Sequence, residues 1–153
     1  MDTPDERPSR KPNRLPSSDY KQNGAFFITI CTKERYEFFG KIENGVMAPT
    51  DLGKIVENET AVIEQVYPSV VLDAFILMPN HIHMLLLLLD NMKNPSVKRI
   101  LQQWKGAVSK KAEFSPWQER FWDSHIYTAT EYRKIKQYII SNPKHWETDK
   151  FYK

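Results

Sequence analysis

Alternating apolar positions predict that the folded domain begins near Ala25. The segment from Ala25 to Thr32 is dense in aromatic and β-branched residues on both of its faces, which predicts a central strand buried on two sides. Further along, Asn44-Gly45 separates two short apolar runs and is the strongest short signal for a β-hairpin, because both residues tolerate positive φ. We therefore expect a buried first strand, followed by a small hairpin appended to the core.

The middle of the chain predicts one helix and a pair of strands. Thr50 or Asp51 can cap a helix that runs to about Val66, over which apolar residues keep a roughly helical spacing. Two apolar runs follow, Val70 to Leu77 and His81 to Leu89, and a short proline-containing linker separates them. Because the linker is short, we expect the two strands to be antiparallel.

The last third of the chain predicts two further helices. Residues 116–127 are aromatic and irregular in pattern, and a final helix is expected from about Thr130 to Ser141. The other predicted helix precedes this segment. Its apolar stripe consists of Val97, Ile100, Leu101, Trp104 and Val108. Long helices combined with an antiparallel sheet indicate an α+β sandwich.

Composition places the chain among single-domain globular proteins. Its 153 residues are 41% hydrophobic and 27% charged, which suffices for one core. Residues 1–24 are polar and contain several prolines, so we expect an extended N-terminal arm, with a single domain over residues 25–153. The formal charge of +3 permits an anionic partner without requiring one.

Neither a membrane segment nor a signal peptide is predicted. The longest apolar run, His81 to Leu89, is far shorter than the ~20 residues that span a bilayer. The N-terminal sequence lacks the apolar stretch of a secretory signal, so we expect a cytoplasmic protein. Cys31 is the single cysteine, which excludes an internal disulfide and a cysteine-based zinc cluster; we expect it to be buried in the first strand.

The sharpest chemical feature is the His81-Ile82-His83 motif. On a strand, residues i and i+2 project to one face, so the two imidazoles lie side by side, which suits a divalent metal. This spacing is common, and the alternative is two histidines on a half-exposed strand. The leucines that follow favour a metal, because polar rings in apolar surroundings need a partner. His125 and His145 lack a partner at ligand spacing, and we interpret them as structural or surface residues.

Tyr138 is a second candidate for chemistry. Lys134 lies one helical turn before it and Asn142 one turn after it, so the three share a polar helix face. Beside the apolar stripe of Ile135 and Ile139, the tyrosine can pack at the edge with its hydroxyl in water, and the spacing alone favours this interpretation. The functional alternative is a nucleophile, which requires the histidine pair to be close in space.

Basic and aromatic residues give weaker indications of nucleic-acid binding. The helix from Lys98 to Lys111 carries basic residues and no acidic residue, which predicts either a positive stripe for phosphates or an ordinary solvated face. Trp117, Phe121 and Trp122 could stack on unpaired bases, although core packing is the commoner role of such residues.

Short motifs in a fixed order extend over nearly the whole chain. They are Asn13-Arg14-Leu15-Pro16 with Asp19-Tyr20, Phe27 to Thr32, Met78-Pro79-Asn80-His81-Ile82-His83, Arg120 to Asp123, and Tyr138 to Pro143. In this order they resemble the REP-associated tyrosine transposases, which belong to the single-tyrosine HUH endonucleases. The combination of MPNHIH with the downstream YIISNP is specific.

The resemblance implies a fold and a set of site residues. The implied fold is a ferredoxin-like or RRM-like sandwich, with a central antiparallel sheet and helices packed on it. By position, His81, His83 and Asn142 would bind Mg²⁺ or Mn²⁺, and Tyr138 would be the nucleophile. Because imidazole and amide ligands are softer than the carboxylates that Mg²⁺ prefers, we expect weak affinity and better binding of Mn²⁺.

The implied activity is that of a DNA endonuclease and strand transferase that cuts near hairpins. The reaction leaves a 5′-phosphotyrosine link, and the same site can rejoin it to another 3′-hydroxyl without ATP. The implied partner is single-stranded or hairpin DNA, and we also expect a homodimer. Our candidates for DNA contacts are Arg14, Lys98, Arg99, Lys105, Arg120 and Lys134.

Two other functions stay open. A domesticated protein could bind DNA hairpins without cutting them, although the intact His81, His83 and Tyr138 argue against it. A metal hydrolase acting on a small phosphate ester would need further ligands near the pair. Only Asp73 and Asp90 are nearby in sequence, and neither has convincing spacing.

Overall fold

The computed structural model describes residues 24–89 and 95–148. The strands and helices in chain order are β1 (Gly24–Cys31), β2 (Gly40–Glu43), β3 (Val46–Pro49), α1 (Asp51–Val66), β4 (Val70–Met78), β5 (His81–Leu88), α2 (Val97–Ala112), β6 (Trp122–Ile126) and α3 (Ala129–Ser141). Short 3-10 segments, Lys33–Arg35 and Asn142–Thr148, follow β1 and α3. The expected arm lies outside the described residues except for Gly24, so the division into arm and domain stays a prediction.

Four strands form one antiparallel sheet in the order β4-β5-β1-β6, while β2 and β3 form a separate hairpin. Together with the first two helices, the strands of the large sheet follow the chain order β1-α1-β4-β5-α2-β6, which is the βαββαβ arrangement of ferredoxin-like folds. β1 pairs with β5 on one side and with β6 on the other, which confirms the predicted central strand. The predicted α+β fold, with helices on an antiparallel sheet, is therefore confirmed.

Local signals located the hairpin and α1 correctly. Asn44 and Gly45 form the turn between β2 and β3 with φ angles of 54° and 76°, the positive values that this turn requires. At the start of α1, Thr50 Oγ1 accepts the backbone N–H of Gly53 at 3.1 Å and satisfies one of the open donors of the first turn. These two features set the position of the β2–β3 turn and of the first residue of α1.

The prediction of irregular structure throughout residues 116–127 was wrong. Within this segment, Trp122–Ile126 forms the edge strand β6, which pairs with β1 from Thr29 opposite Trp122 to Ala25 opposite Ile126. The strand sequence WDSHI contains one β-branched residue, so its propensity for strand is weak. The strand forms because the second edge of the buried β1 offers backbone partners, which is a tertiary effect that local pattern does not report.

Helices cover both faces of the sheet. On one face, α1 and α2 pack on inward-facing residues such as Ile28 and Ile82, and the whole predicted apolar stripe of α2 is buried. The indole N–H of Trp104 on α2 donates to Thr60 Oγ1 on α1 at 3.1 Å, which joins the two helices. On the other face, α3 covers the sheet. None of the helices in the described parts of the chain is long and apolar enough to cross a membrane.

Candidate active site

β5 presents His81 and His83 on the sheet face that α3 covers. Ile82, between them, enters the core under α1 and α2, while Leu85 continues the histidine face into the apolar cluster under α3. Both imidazoles are wholly buried, and their ring centroids lie 4.7 Å apart. The two-residue period of the strand thus places the rings side by side, in a buried position rather than on a half-exposed strand.

A hydrogen bond holds the Nδ1 atom of each ring. His83 Nδ1 lies 2.8 Å from Thr29 Oγ1 on β1, and His81 Nδ1 lies 2.9 Å from Asn80 Oδ1. Burial, the neighbouring His83 and the positive charge of Arg35 keep the pKa of His81 well below its usual range. The His81 ring is therefore neutral at pH 7, which is the form of histidine that binds a metal.

α3 brings Tyr138 onto the histidine pair. Thr128 caps the start of this helix, because its side chain accepts the backbone N–H of Glu131 at 3.1 Å. The ring centroid of Tyr138 lies 5.3 Å from that of His83 and 6.3 Å from that of Phe27, which it meets edge-on. Tyr138 therefore packs at the edge of the apolar cluster under α3, and it also meets the spatial condition for a nucleophile.

Beyond α3, the 3-10 segment carries two more residues toward the histidine pair. The Trp146 ring stacks near His81, with centroids 6.1 Å apart and planes inclined by 27°. Asn142 lies four residues after Tyr138 and four before Trp146; its side chain is buried, and within the described part of the chain its Nδ2 atom has no hydrogen-bond partner. At the C-cap of α3, one helical turn after Tyr138, Asn142 lies on the same helix face as the tyrosine.

These residues fit a divalent cation that accepts nitrogen and oxygen donors. The fit rests on a neutral imidazole at His81, on side chains that orient both rings, and on the buried amide of Asn142, whose side-chain oxygen is a suitable ligand atom. Over residues 24–89 and 95–148, no group of three or more His, Cys, Asp or Glu could hold a metal ion. The assignment of His81, His83 and Asn142 as ligands stays a prediction.

A polar cluster that the sequence did not predict fastens α3 to the edge strand β4. The register of β4 against β5 shifts between Leu72 and Ala74, an irregularity of the kind that redirects a side chain. The residue at the shift, Asp73, accepts a hydrogen bond from the Tyr132 hydroxyl and lies 3.1 Å from Lys136 Nζ. Tyr132 and Lys136 are one turn apart on α3, and this spacing is the one signal of the cluster that the sequence contains.

The cluster changes the acidity of two of its members. The hydrogen bond from Tyr132, with a contribution from Lys136, lowers the pKa of Asp73, while burial and Asp73 raise the pKa of Tyr132 to about 12. Asp73 is thus bound to α3 rather than directed at the histidine pair, which weakens the phosphate-ester hydrolase alternative. Asp90, the other carboxylate of that alternative, lies outside the described residues.

Replacing Asp73 with asparagine is expected to lower the free energy of unfolding by about 1–2 kcal/mol at pH 7, since the hydrogen bond loses its charged acceptor at a partly exposed site. A carboxyl whose pKa is lowered on folding stabilises the protein above the usual pKa of ~4 and loses this contribution as pH falls. Tyr132, with a raised pKa, stabilises below pH ~10 and loses its contribution as pH rises. Urea unfolding of wild type and Asp73→Asn from acid to alkaline pH measures the free energy of unfolding, and with it the loss of stability at both ends of the pH range.

The matched control for this measurement is Glu57→Gln on the exposed face of α1. We expect the control to leave the free energy of unfolding within ~0.5 kcal/mol of wild type. A stability difference between wild type and Asp73→Asn that stayed constant down to the lowest pH would contradict the ionised state of Asp73 in the fold.

The predicted DNA-contact residues lie on different surfaces. Lys98 and Arg99 are exposed on α2, on the side of the sheet away from the histidine pair, and Lys134 is exposed on α3 one turn before Tyr138. Arg14 lies outside the described residues. Among the described candidates, Lys134 therefore lies on the opposite side of the sheet from Lys98 and Arg99.

Lys105 and Arg120 line a surface groove of about 940 Å³ together with Trp122. Lys105 Nζ donates to the backbone carbonyls of Gln118 at 2.9 Å and Glu119 at 3.4 Å, and burial lowers its pKa. Its ammonium group thus supports the loop that carries the exposed Arg120. Trp122 also packs in the apolar cluster that contains Trp146, so the groove ends close to the His81 side of the pair.

The remaining histidines and the cysteine have the structural roles that were predicted. His125 stacks on Phe26 with centroids 4.6 Å apart, on the sheet face opposite the histidine pair. His145 is exposed in the 3-10 segment. Cys31 is buried and packs with Met78 and Trp146.

Comparison with known proteins finds similarity both in sequence and in structure. No protein-family model matches the chain. An uncharacterized protein of Haemophilus influenzae (strain Rd) is 29% identical over 167 residues, which cover 94% of this chain and 93% of that protein. The structure of a REP-associated tyrosine transposase bound to a REP hairpin has a TM-score of 0.65 at 20% identity and covers 81% of this chain and 68% of its own.

A proposed transposase from Deinococcus radiodurans R1 has a TM-score of 0.52 at 16% identity, and the match covers 83% of this chain and 96% of that one. At these identities, the two superpositions show a common fold. The chain therefore has the fold of the REP-associated tyrosine transposase, and the resemblance drawn from its motifs is confirmed at that level.

Proposed function

We propose that this chain is a tyrosine transposase of the REP-associated type, a metal-dependent endonuclease and strand transferase for single-stranded or hairpin DNA. The observation that carries the proposal is the meeting of Tyr138 with the histidine pair, at 5.3 Å between the ring centroids of Tyr138 and His83. The histidines lie on β5 and Tyr138 lies on α3, so it is the tertiary fold that brings them together. The common fold with a transposase solved with a REP hairpin supports the same class of substrate.

Tyr138 would supply the nucleophile. Its phenol oxygen attacks the phosphorus of a phosphodiester, so an oxygen–phosphorus bond to tyrosine forms while the bond to the 3′ oxygen breaks. The phenol loses its proton, and the departing 3′ oxygen gains one. The products are a 5′-phosphotyrosine and a free 3′-hydroxyl, and the reverse reaction with another 3′-hydroxyl transfers the strand. The packing of Tyr138 against Phe27 and His83 limits the directions in which its hydroxyl can point.

His81, His83 and Asn142 would hold Mg²⁺ or Mn²⁺. When bound, the ion supplies positive charge to a non-bridging oxygen of the phosphate and stabilises the charge that develops in the transition state. The chain's own contribution is to keep His81 neutral by burial and to fix each ring through Nδ1. Such fixed orientation of ligand side chains tunes metal affinity.

The DNA contacts are proposed from the positions of the basic residues. Lys134 lies on α3 one turn before Tyr138, and Arg120 lines the groove that also contains Trp122, so we assign these two residues to the single strand near the cut. Lys98 and Arg99 lie on α2, on the opposite face of the sheet. They would contact only DNA that extends around the domain from the site of cleavage. The homodimer expected from the resemblance also stays a prediction, which sedimentation analysis tests.

The experiment that tests the proposal is a search for a covalent protein–DNA adduct. The wild-type protein is incubated with Mn²⁺ and a panel of 3′-labelled DNA hairpins with single-stranded flanks, and adducts are separated on a denaturing gel and digested for mass spectrometry. We expect the label to travel with the peptide that contains Tyr138. Tight hairpin binding without any adduct across the panel would overturn the cleavage activity and favour a DNA-binding protein that does not cut.

A further inference from the structure

The turn that follows β1 has an unusual backbone. Glu34 and Arg35 are consecutive non-glycine residues with φ angles of 50° and 58°, in the left-handed region that side chains disfavour. Such strain persists only where the surrounding structure imposes it, and it is often found near functional sites. The hydroxyl of Thr32 ties the turn down by contacts with the backbone oxygens of Tyr36 at 2.7 Å and Asn80 at 3.1 Å.

Asn80 connects this turn to the histidine pair. Its side chain is wholly buried in the connection between β4 and β5, directly before His81. Asn80 Nδ2 donates to the backbone oxygen of Arg35 at 3.3 Å, and Asn80 Oδ1 lies 2.9 Å from His81 Nδ1. The two ends of one amide therefore contact the strained turn and the histidine.

The carbonyl of Arg35 decides which way the Asn80 amide faces. A carbonyl oxygen can only accept a hydrogen bond, so the amide must direct its NH₂ group toward Arg35. Its Oδ1 atom then faces His81, and because this oxygen can also only accept, His81 Nδ1 must carry the proton. In a neutral imidazole, the lone pair then lies on Nε2, the nitrogen farther from the backbone.

We infer that Asn80 is a positioning residue, oriented by the backbone carbonyl of Arg35, that holds His81 in the Nδ1–H form and directs the Nε2 lone pair into the candidate metal site. The tautomer follows from hydrogen bonds alone; its value for metal binding rests on the proposed function. Thr29 cannot act on His83 in the same way, because a hydroxyl can either donate or accept and so leaves the tautomer of His83 undefined. The function that we infer for the strained turn is to place the carbonyl of Arg35 where the Asn80 amide can donate to it.

The test is ¹⁵N NMR of the imidazoles in the metal-free protein near neutral pH, which distinguishes the two tautomers without any activity. Wild type is expected to show His81 with a protonated Nδ1. Asn80→Leu, of similar size but without either hydrogen bond, is expected to give a mixture of tautomers at His81. The signals of His125, which stacks on Phe26 on the opposite face of the sheet, serve as the internal reference. Isothermal titration with Mn²⁺ is expected to show ~10–100-fold weaker binding for Asn80→Leu, the range found when such a supporting group is lost.

The control is Arg35→Gly, which keeps the carbonyl and suits the left-handed backbone. It is expected to keep His81 in the Nδ1–H form. Because the charge of Arg35 acts on His81, the control for Mn²⁺ affinity is Glu57→Gln on the exposed face of α1, which is expected to stay within about twofold of wild type. Wild-type His81 in the Nε2–H form would overturn the inference even if Asn80→Leu failed to fold, and an unchanged Nδ1–H form in a folded Asn80→Leu would also overturn it. A fixed tautomer in a protein that binds no Mn²⁺ would instead overturn the metal-dependent function and leave the role of Asn80 intact.

Discussion

Replacing Tyr138 with phenylalanine is expected to abolish the covalent adduct, because the variant lacks the only atom of this side chain that can bond to phosphorus. The ring stays in place between Phe27 and His83, so the packing of α3 is retained. We therefore expect a change of less than about 1 kcal/mol in the free energy of unfolding. Hairpin affinity, measured by fluorescence anisotropy, should stay within about threefold of wild type, since uncut DNA gains little from one hydroxyl.

Two other tyrosines provide controls for this prediction. Tyr127→Phe changes an exposed ring at the end of β6 and should leave the adduct yield at the level of wild type. Tyr132→Phe removes the hydrogen bond to Asp73, so the adduct should form more slowly but not disappear. Tyr132 is an unsuitable nucleophile because its pKa is raised to about 12. Adduct formation by Tyr138→Phe at the rate of wild type would show that another residue attacks the phosphate.

The sequence predicted the fold where several local signals agreed. α1 begins and ends as expected because a capping threonine, helical spacing of apolar residues and a following proline all point to the same bounds. The central position of β1 was readable because both of its faces are apolar. β6 was missed because a short strand with few β-branched residues depends on its neighbour for stability, and pairing with β1 is a long-range property.

The sequence predicted the residues that we propose to react, but it did not predict the residues that hydrogen-bond to the site or to α3. His81, His83 and Tyr138 stand in motifs with a recognisable spacing, so sequence alone suggested them. Thr29, Asp73 and Asn80 act through partners that are distant in sequence or that depend on one amide orientation. The contact of Thr29 depends on the register of β1 against β5, and that of Asp73 depends on the irregularity in the edge strand β4. The contact of Asn80 depends on the left-handed turn at Arg35. None of these features has a local sequence pattern strong enough to reveal it.

Replacing His83 with alanine is expected to reduce the rate of adduct formation by ~10²–10³-fold, because the site loses one of its imidazole donors and part of the electrostatic stabilisation of the transition state. The same change removes a buried ring that touches Phe27, His81 and Tyr138, so the free energy of unfolding should also fall by about 2 kcal/mol. Single-turnover kinetics at a Mn²⁺ concentration that saturates wild type, with a thermal melt of each protein, separate the two effects.

His125→Ala is the matched control, because His125 is also a stacked histidine of the same sheet but lies on the opposite face against Phe26. It should lower stability by a comparable amount and leave the rate of adduct formation within about threefold of wild type. Mn²⁺ titration should show weakened binding for His83→Ala and unchanged binding for His125→Ala. Equal rates for the two variants would mean that the histidine pair contributes only to packing, and the reaction would then need a different source of charge stabilisation near Tyr138.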